Sequence, residues 1–322
     1  MIVITGAAGF IGSNLAHSFT GDFDDLLLVD KDTNRLSAAN FAGLKHYRFI
    51  SPQRLMFELE RDFIQPFVIY HLGAISSTTE TDWWKLKHNN VEVSQDLWKI
   101  AAERRIPFIY ASSAATYGDG SRGFDDRTPA ETLLPLNLYG KSKNDFDAWA
   151  LSRSKEGEGS PPIWAGCKFF NVYGPRELHK GRMASMVLHA FRQIKTTGVV
   201  KLFRSDETGV ADGGQRRDFV FVKDCVAHMR FLAAGKAPKG VYNSGTGEPR
   251  TFLELTNAVF AALDLPPNIA FIDKPADLVG RYQSYTKAEM TKLTTAGFDK
   301  PATTLEDGVN QTVAWLTEND TQ

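Results

Sequence analysis

The run Ile2-Val3-Ile4-Thr5-Gly6-Ala7-Ala8-Gly9-Phe10-Ile11-Gly12 decides the fold. Four apolar or β-branched residues in a row read as a strand buried on both faces. Glycines then follow at three-residue intervals. Gly6 permits a tight turn, Gly9 lets backbone approach a pyrophosphate, and Gly12 lets the next helix pack against the strand. The N-terminus of that helix offers N–H groups and a partial positive charge to phosphates. Asp30 closes a second apolar run, residues 26–29, where a carboxylate can take ribose hydroxyls. Strand, spacing and acid together predict a dinucleotide site. Lys31 and Arg35 add cations able to accept a 2′-phosphate, which favours NADP, with NAD as the alternative. The competing reading of those two residues is a solvated charged loop.

Working outward, residues 67–72, 108–111 and 165–170 repeat the buried-strand pattern. Helix-length stretches such as 12–19 and 91–103 lie between the strands. This alternation predicts an α/β fold, a Rossmann-like doubly wound parallel sheet with helices on both faces. Beyond Gly174-Pro175 the rhythm weakens to a helix over 183–193, a strand over 218–222 and a helix over 252–263. Residues 1–170 are therefore expected to form the cofactor-binding domain. Residues 171–322 should form mainly a smaller α/β substrate-binding C-terminal lobe, with the chain returning to the first domain around 217–243.

Composition narrows the class. Of the 322 residues, 43% are apolar and 23% charged, which excludes disordered, collagen-like and coiled-coil chains. Thirty-seven Lys and Arg against 38 Asp and Glu leave a formal charge of −1, so nucleic acid and anionic membrane are not expected partners. Two cysteines, Cys167 and Cys225, are too few for a disulfide scaffold or a four-ligand zinc site, and the seven histidines form no ligand-spaced cluster. No metal site is expected. Without a membrane-length apolar run or a signal-peptide pattern, the expected location is cytoplasmic.

Tyr139-Gly140-Lys141-Ser142-Lys143 puts Tyr139 and Lys143 on one helical face. A phenol is a poor base at neutral pH, and a neighbouring ammonium together with a positive nicotinamide would stabilise the phenolate. Ser112-Ser113 follows the strand at 108–111, where a hydroxyl can bond a substrate alcohol.

With these residues in hand, the chain resembles the extended short-chain dehydrogenase/reductase superfamily. The resemblance is carried by Gly-x-x-Gly-x-x-Gly at 6–12, Ser-Ser-Ala-Ala-Thr-Tyr-Gly at 112–118, Tyr139-x-x-x-Lys143 and Asn171-Val172-Tyr173-Gly174-Pro175-Arg176. Further segments are similar to the ADP-glyceromanno-heptose 6-epimerase family: Gly73 to Glu80, His88-Asn89-Asn90, Glu177-Leu178-His179-Lys180-Gly181, Arg216 to Val220 and Gly280 to Gln283. That likeness implies an ADP-heptose substrate whose C6″ is oxidised to a ketone and re-reduced on its other face, and a homo-oligomer. It implies Tyr139 and Lys180 as the two acid/base groups, with Ser113 and Lys143 assisting. It implies cofactor contacts at Phe10, Ile11, Asp30, Lys31, Leu72, Gly73, Ala74, Ile75, Ser76, Asn89, Lys143, Val172 and Lys180. Substrate contacts are implied at Ser113, Asn171, Arg182, His189, Phe203, Arg204, Ser205, Asp206, Arg217 and Tyr282. Arg217 suits a diphosphate because guanidinium matches phosphate oxygens at two points.

The chain departs from the family pattern at Leu72, where a carboxylate is expected, at Arg182, where a small residue is usual, and in an apparent insertion over 208–214. Two other readings stand beside this one: a different nucleotide-sugar epimerase or dehydratase, and a cofactor-binding sensor without catalysis. Ala114-Ala115 lacks the acid pair a dehydratase needs, and Ser113, Tyr139 and Lys143 are superfluous to a sensor.

Overall fold

The computed structural model describes residues 1–19, 25–31, 39–155, 159–206, 208–274 and 285–320. Strand β1 (Ile2–Thr5) is wholly buried, as its unbroken apolar run requires. The chain then forms β2 (Leu26–Val29), β3 (Tyr47–Ile50), β4 (Val68–His71), β5 (Phe108–Ser113) and β6 (Trp164–Phe169). Beyond these lie β7 (Asn171–Tyr173), β8 (Val200–Phe203), β9 (Arg216–Arg217), β10 (Phe219–Phe221), β11 (Gly240–Ser244), β12 (Arg250–Thr251) and β13 (Ile269–Ile272). A seven-stranded sheet runs in the order β11-β6-β5-β4-β1-β2-β3, and every pairing in it is parallel. Chain order reverses at β1, so the crevice beyond its C-terminal end is where a doubly wound sheet binds ligands.

The two faces follow from strand periodicity. Ile2 and Ile4 enter one apolar layer with Val226 and Met229 of the helix Val222–Ala233, while Val3 enters the other with Leu97, Trp98 and Phe146. A third core joins the helices Met186–Thr197, Phe252–Ala262 and Leu305–Asn319 to β8 through Leu188, Val200, Leu202, Val259 and Val313. That core carries the C-terminal layer over the sheet's ligand-binding end, with β8 paired to β13, β7 to β10 and β9 to β12.

Three differences from the sequence reading have local causes. Strand β3 was not anticipated because its residues are mostly exposed and carry no buried-strand signature. The helix expected over 183–193 starts at Met186, because the Ser185 hydroxyl accepts the Leu188 N–H as an N-cap. The helix expected from residue 91 is preceded by a π turn, Lys87–Glu92, before the regular helix Val93–Glu103. The chain's return begins with the helix Val222–Ala233, packed on the face of Ile2 and Ile4, and β11 then adds to the large sheet beside β6, whereas β10 pairs with β7. Among the described residues no helix is long and apolar enough to cross a membrane.

Candidate active site

The turn after β1 is built for close backbone contact. Gly6 has φ +66°, and a Cβ there would lie 2.6 Å from the Gly73 nitrogen. A Cβ on Gly12 would lie 2.2 Å from the Gly6 carbonyl oxygen. Glycine at both positions lets β1, the loop after β4 and the helix Phe10–His17 converge. That helix has no acidic residue in its first turn, so its N–H groups and dipole face a cleft of about 790 Å³. Asp30 stands beside the turn, its carboxylate accepting the Ala8 and Lys31 N–H groups at 2.9 and 2.8 Å. Burial holds its pKa above the ordinary value. A cradle that a methyl group would fill, a helix N-terminus and a carboxylate fit a dinucleotide.

The loop carrying Gly73 to Ser76 is fixed by two hydrogen-bond chains. The Gly73 N–H donates to the Thr5 hydroxyl at 3.1 Å, which pairs with His71 Nδ1 at 2.8 Å. His71 Nε2 pairs with the Ser94 hydroxyl at 2.9 Å, and Ser94 donates to the Asn90 carbonyl. Every proton then has one direction: Ser94 is already a donor, so His71 is the neutral Nε2–H tautomer and accepts from Thr5. Burial lowers the His71 pKa to about 3, which agrees. Asn90 brackets the loop from the other side, bonding the Ile75 N–H, the Ile75 carbonyl and the Ser142 hydroxyl at 2.8 to 3.0 Å.

The helix Leu138–Lys155 brings Tyr139 and Lys143 to the same cleft. Lys143 Nζ is buried and donates to the Ala111 carbonyl at 3.0 Å. Burial draws its pKa down to about 8, with Asp147 pulling the other way. The Tyr139 phenol is held above its ordinary value by burial, against a hydrogen bond with Ser113 that lowers it. Desolvation penalises the phenolate and decides the direction, and the lowering expected from Lys143 is not found. Lys180 reaches the cleft from the 3₁₀ segment Leu178–Met183, its Nζ 5.2 Å from the Phe10 ring centre. Burial lowers the pKa of this ammonium, and Glu177 opposes the shift. Glu177 is itself fully buried and accepts the Ser185 N–H at 2.6 Å and the Ser185 hydroxyl.

Most of the anticipated residues meet here. Gly6, Gly9, Phe10, Ile11, Gly12, Asp30, Lys31, Leu72, Gly73, Ala74, Ser76, Ser113, Tyr139, Lys143, Asn171, Val172 and Lys180 line one cleft. Ile75 instead spends its backbone on Asn90. Asn89 turns its amide onto the Lys85 carbonyl at 2.8 Å, away from the lining, because the π turn presents Asn90 inward. Arg182 is exposed and His189 half-buried, and neither lines the cleft. Arg217 is buried with its guanidinium 5.8 Å from the ring centre of Phe252, a lining residue. Neither Arg217 nor residues 203–206 are among the lining residues: in the segment after β8, Arg204 pairs with Asp212 and Asp273, Asp206 with Lys274, and the Ser205 N–H with Asp212. Phe203 ends β8 and accepts the Gly213 N–H, so the 208–214 stretch folds onto the 203–206 segment. Arg35 and Tyr282 lie outside the described residues. Among the described residues no group of His, Cys, Asp or Glu could hold a metal ion.

Sequence reasoning missed Asn90, Glu177, His71 and Asn40. Asn40 is buried and donates to the Ala8 carbonyl and to His179 Nδ1 at 3.0 and 3.1 Å, tying the glycine turn to the segment bearing Lys180. The Asn89-Asn90 doublet carried a signal but left the choice between two adjacent amides open, and Glu177 stood in the 177–181 segment without a role of its own.

The sequence matches the model of the NAD dependent epimerase/dehydratase family over residues 2–245. It is 43% identical to the ADP-L-glycero-D-manno-heptose-6-epimerase of Fusobacterium nucleatum subsp. nucleatum, over 97% of each chain. The crystal structure of the Helicobacter pylori ADP-L-glycero-D-manno-heptose-6-epimerase superposes with a TM-score of 0.81 at 29% identity, covering 98% of this chain and 96% of that one. The Thermus thermophilus UDP-glucose 4-epimerase in complex with NAD shares the fold, with a TM-score of 0.77 at 24% identity and 99% of each chain covered.

Proposed function

This chain belongs to the NAD dependent epimerase/dehydratase family, and from that premise we propose that it is an ADP-glyceromanno-heptose 6-epimerase. It converts ADP-D-glycero-β-D-manno-heptose to the L-glycero epimer by transient oxidation of C6″ to a ketone and re-reduction on the opposite face. The observation that carries the reading is two titratable groups on one cleft from different elements: Tyr139 beside Ser113, and Lys180 against Phe10. A single base would be badly placed once the ketone turned its other face, whereas two serve both presentations of the oxygen.

The glycine turn, the helix start at Phe10 and Asp30 would hold the dinucleotide, and Lys143 its nicotinamide ribose. When bound, the nicotinamide supplies a hydride acceptor and, oxidised, a positive charge beside Tyr139. Tyr139 takes the hydroxyl proton of one epimer while Ser113 orients that oxygen. Lys180 protonates the oxygen of the other. Lowering of its pKa by burial brings that ammonium nearer to releasing its proton at neutral pH. Arg217 and the 203–206 segment are assigned to the nucleotide end of the substrate. We assign residues 1–170 mainly to the cofactor and 171–322 mainly to the sugar nucleotide. NADP is the proposed cofactor, because Lys31 lines the cleft next to Asp30. The reading implies a cytoplasmic homo-oligomer.

The test is incubation of the purified protein with ADP-D-glycero-β-D-manno-heptose, followed by NMR for the L-glycero epimer with no cofactor added. No conversion of that substrate, together with conversion of UDP-galactose, overturns the assignment.

A further inference from the structure

Beneath the catalytic face lies a charged pair that the mechanism above does not use. Tyr139, Lys143 and Asp147 recur every four residues along the helix Leu138–Lys155, one turn above the next. Asp147 is fully buried and accepts from three donors: the Tyr110 hydroxyl at 3.0 Å, the Ser112 hydroxyl at 2.7 Å and Lys168 Nζ at 2.8 Å. Lys168, on β6, is equally buried and also donates to Thr116, which in turn bonds the Ser113 carbonyl at 2.8 Å. The network therefore ends on Ser112 and Ser113, the strand end beside Tyr139.

We propose that Asp147 and Lys168 are positioning residues for the reaction, a compensated buried pair that fixes Ser113 and sets the ionisation of Tyr139. The inference rests on Tyr139 being the acid/base group. Of the other titratable groups that face Lys143 or Asp147, His71 on β4, Tyr110 on β5, Cys167 on β6 and Tyr117 after β5 are uncharged at neutral pH, because burial moves each toward its neutral form. That leaves Lys143 above Asp147, Lys168 beside it and Lys180 on another wall of the cleft as the charges that matter. Eight helical positions separate Tyr139 from Asp147, about 12 Å of rise. One uncompensated charge at that range moves a titration by about one pH unit, a tenfold change in phenolate at fixed pH.

The experiment titrates the phenolate absorption of the protein with oxidised NADP added, each variant read against its own Tyr139→Phe counterpart. Asp147→Asn leaves Lys168 unopposed and should lower the Tyr139 midpoint by about one pH unit. Lys168→Met leaves Asp147 negative with its two hydroxyl donors and should raise the midpoint by a similar amount. The double variant should return it close to the parent value, and Lys168→Arg, which keeps the charge, should hold it. Coincident midpoints, or shifts in the same direction, overturn the inference. A purely structural role lowers stability in both single variants without separating their midpoints. Should Asp147→Asn not fold, the contrast between Lys168→Met and Lys168→Arg decides the matter alone. The readout needs no turnover, so a result that overturns the proposed function leaves this test intact.

Discussion

Tyr139 stands on an 18-residue helix packed over the central sheet, whereas Lys180 sits in a six-residue 3₁₀ segment interrupted by Gly181 at φ +52°. Behind Tyr139 are Ser113, Lys143 on a strand carbonyl and a buried ion pair. Behind Lys180 are one buried carboxylate, Glu177, and one amide link from Asn40 to the neighbouring His179. The two proposed acid/base groups thus share a cleft but not a scaffold. One inherits the rigidity of the sheet, and the other depends on a few polar contacts that single substitutions can remove.

The largest expected effect breaks the pairing itself. Tyr139→Phe and Lys180→Met should each lower kcat by about 10²- to 10⁴-fold, the range for loss of a general acid or base. Cofactor binding, followed by fluorescence, should persist in both. Near-normal turnover in the Lys180 variant would leave Tyr139 as the sole acid/base group and dissolve the comparison.

Next comes the support. Glu177→Ala removes the acceptor for the Ser185 N–H and hydroxyl and the charge opposing desolvation of Lys180. A loss of about 2–4 kcal/mol in unfolding free energy is expected. The sharper measurement is kinetic: kcat should fall while NADP affinity and the Tyr139 titration stay in place. If cofactor affinity falls in step, the two scaffolds are one.

The same asymmetry explains what the sequence disclosed. The dinucleotide turn was legible because its logic is local: strand, three glycines and helix start follow one another without a break between Ile2 and Gly12. Tyr139 and Lys143 were legible because four-residue spacing implies one helical face. Glu177, Asn40, Asp147 and Lys168 were not, since each acts through partners fixed only by tertiary folding; Asn40 and His179 are 139 positions apart. Strand β3 hid for the opposite reason, lacking the burial that marks the others. Arg182 and His189, carried over by likeness alone, stand off the cleft lining.

A smaller effect separates the scaffolds by pH. His71 serves the sheet and His179 the Lys180 segment, and burial lowers their pKa values to about 3 and about 4 from 6.5. Below about 6.5 the unfolded chain takes up protons that the folded chain refuses, so stability is full above that pH and declines as pH falls toward 4 and then 3. The slope for fully buried His71 is on the order of 1 kcal/mol per pH unit, and half-buried His179 contributes less because solvent screens it. His71→Gln should flatten the fall in Tm between about pH 6 and 4, and an unchanged slope would mean the Thr5–His71–Ser94 chain accepts a charged imidazole.

The smallest expected effect concerns the sheet side alone. Lys31 is exposed at the cleft rim beside Asp30, whose carboxylate already accepts two backbone N–H groups and repels a 2′-phosphate. If Lys31 offsets that repulsion, Lys31→Ala should weaken NADP by about fivefold at low salt, leave NAD nearly unchanged, and lose its effect as salt rises. Equal weakening of both cofactors would mean that Lys31 contacts a part they share, such as the pyrophosphate. In that case Lys31 does not select between the two cofactors, and kcat for the epimerisation should be indifferent to the choice.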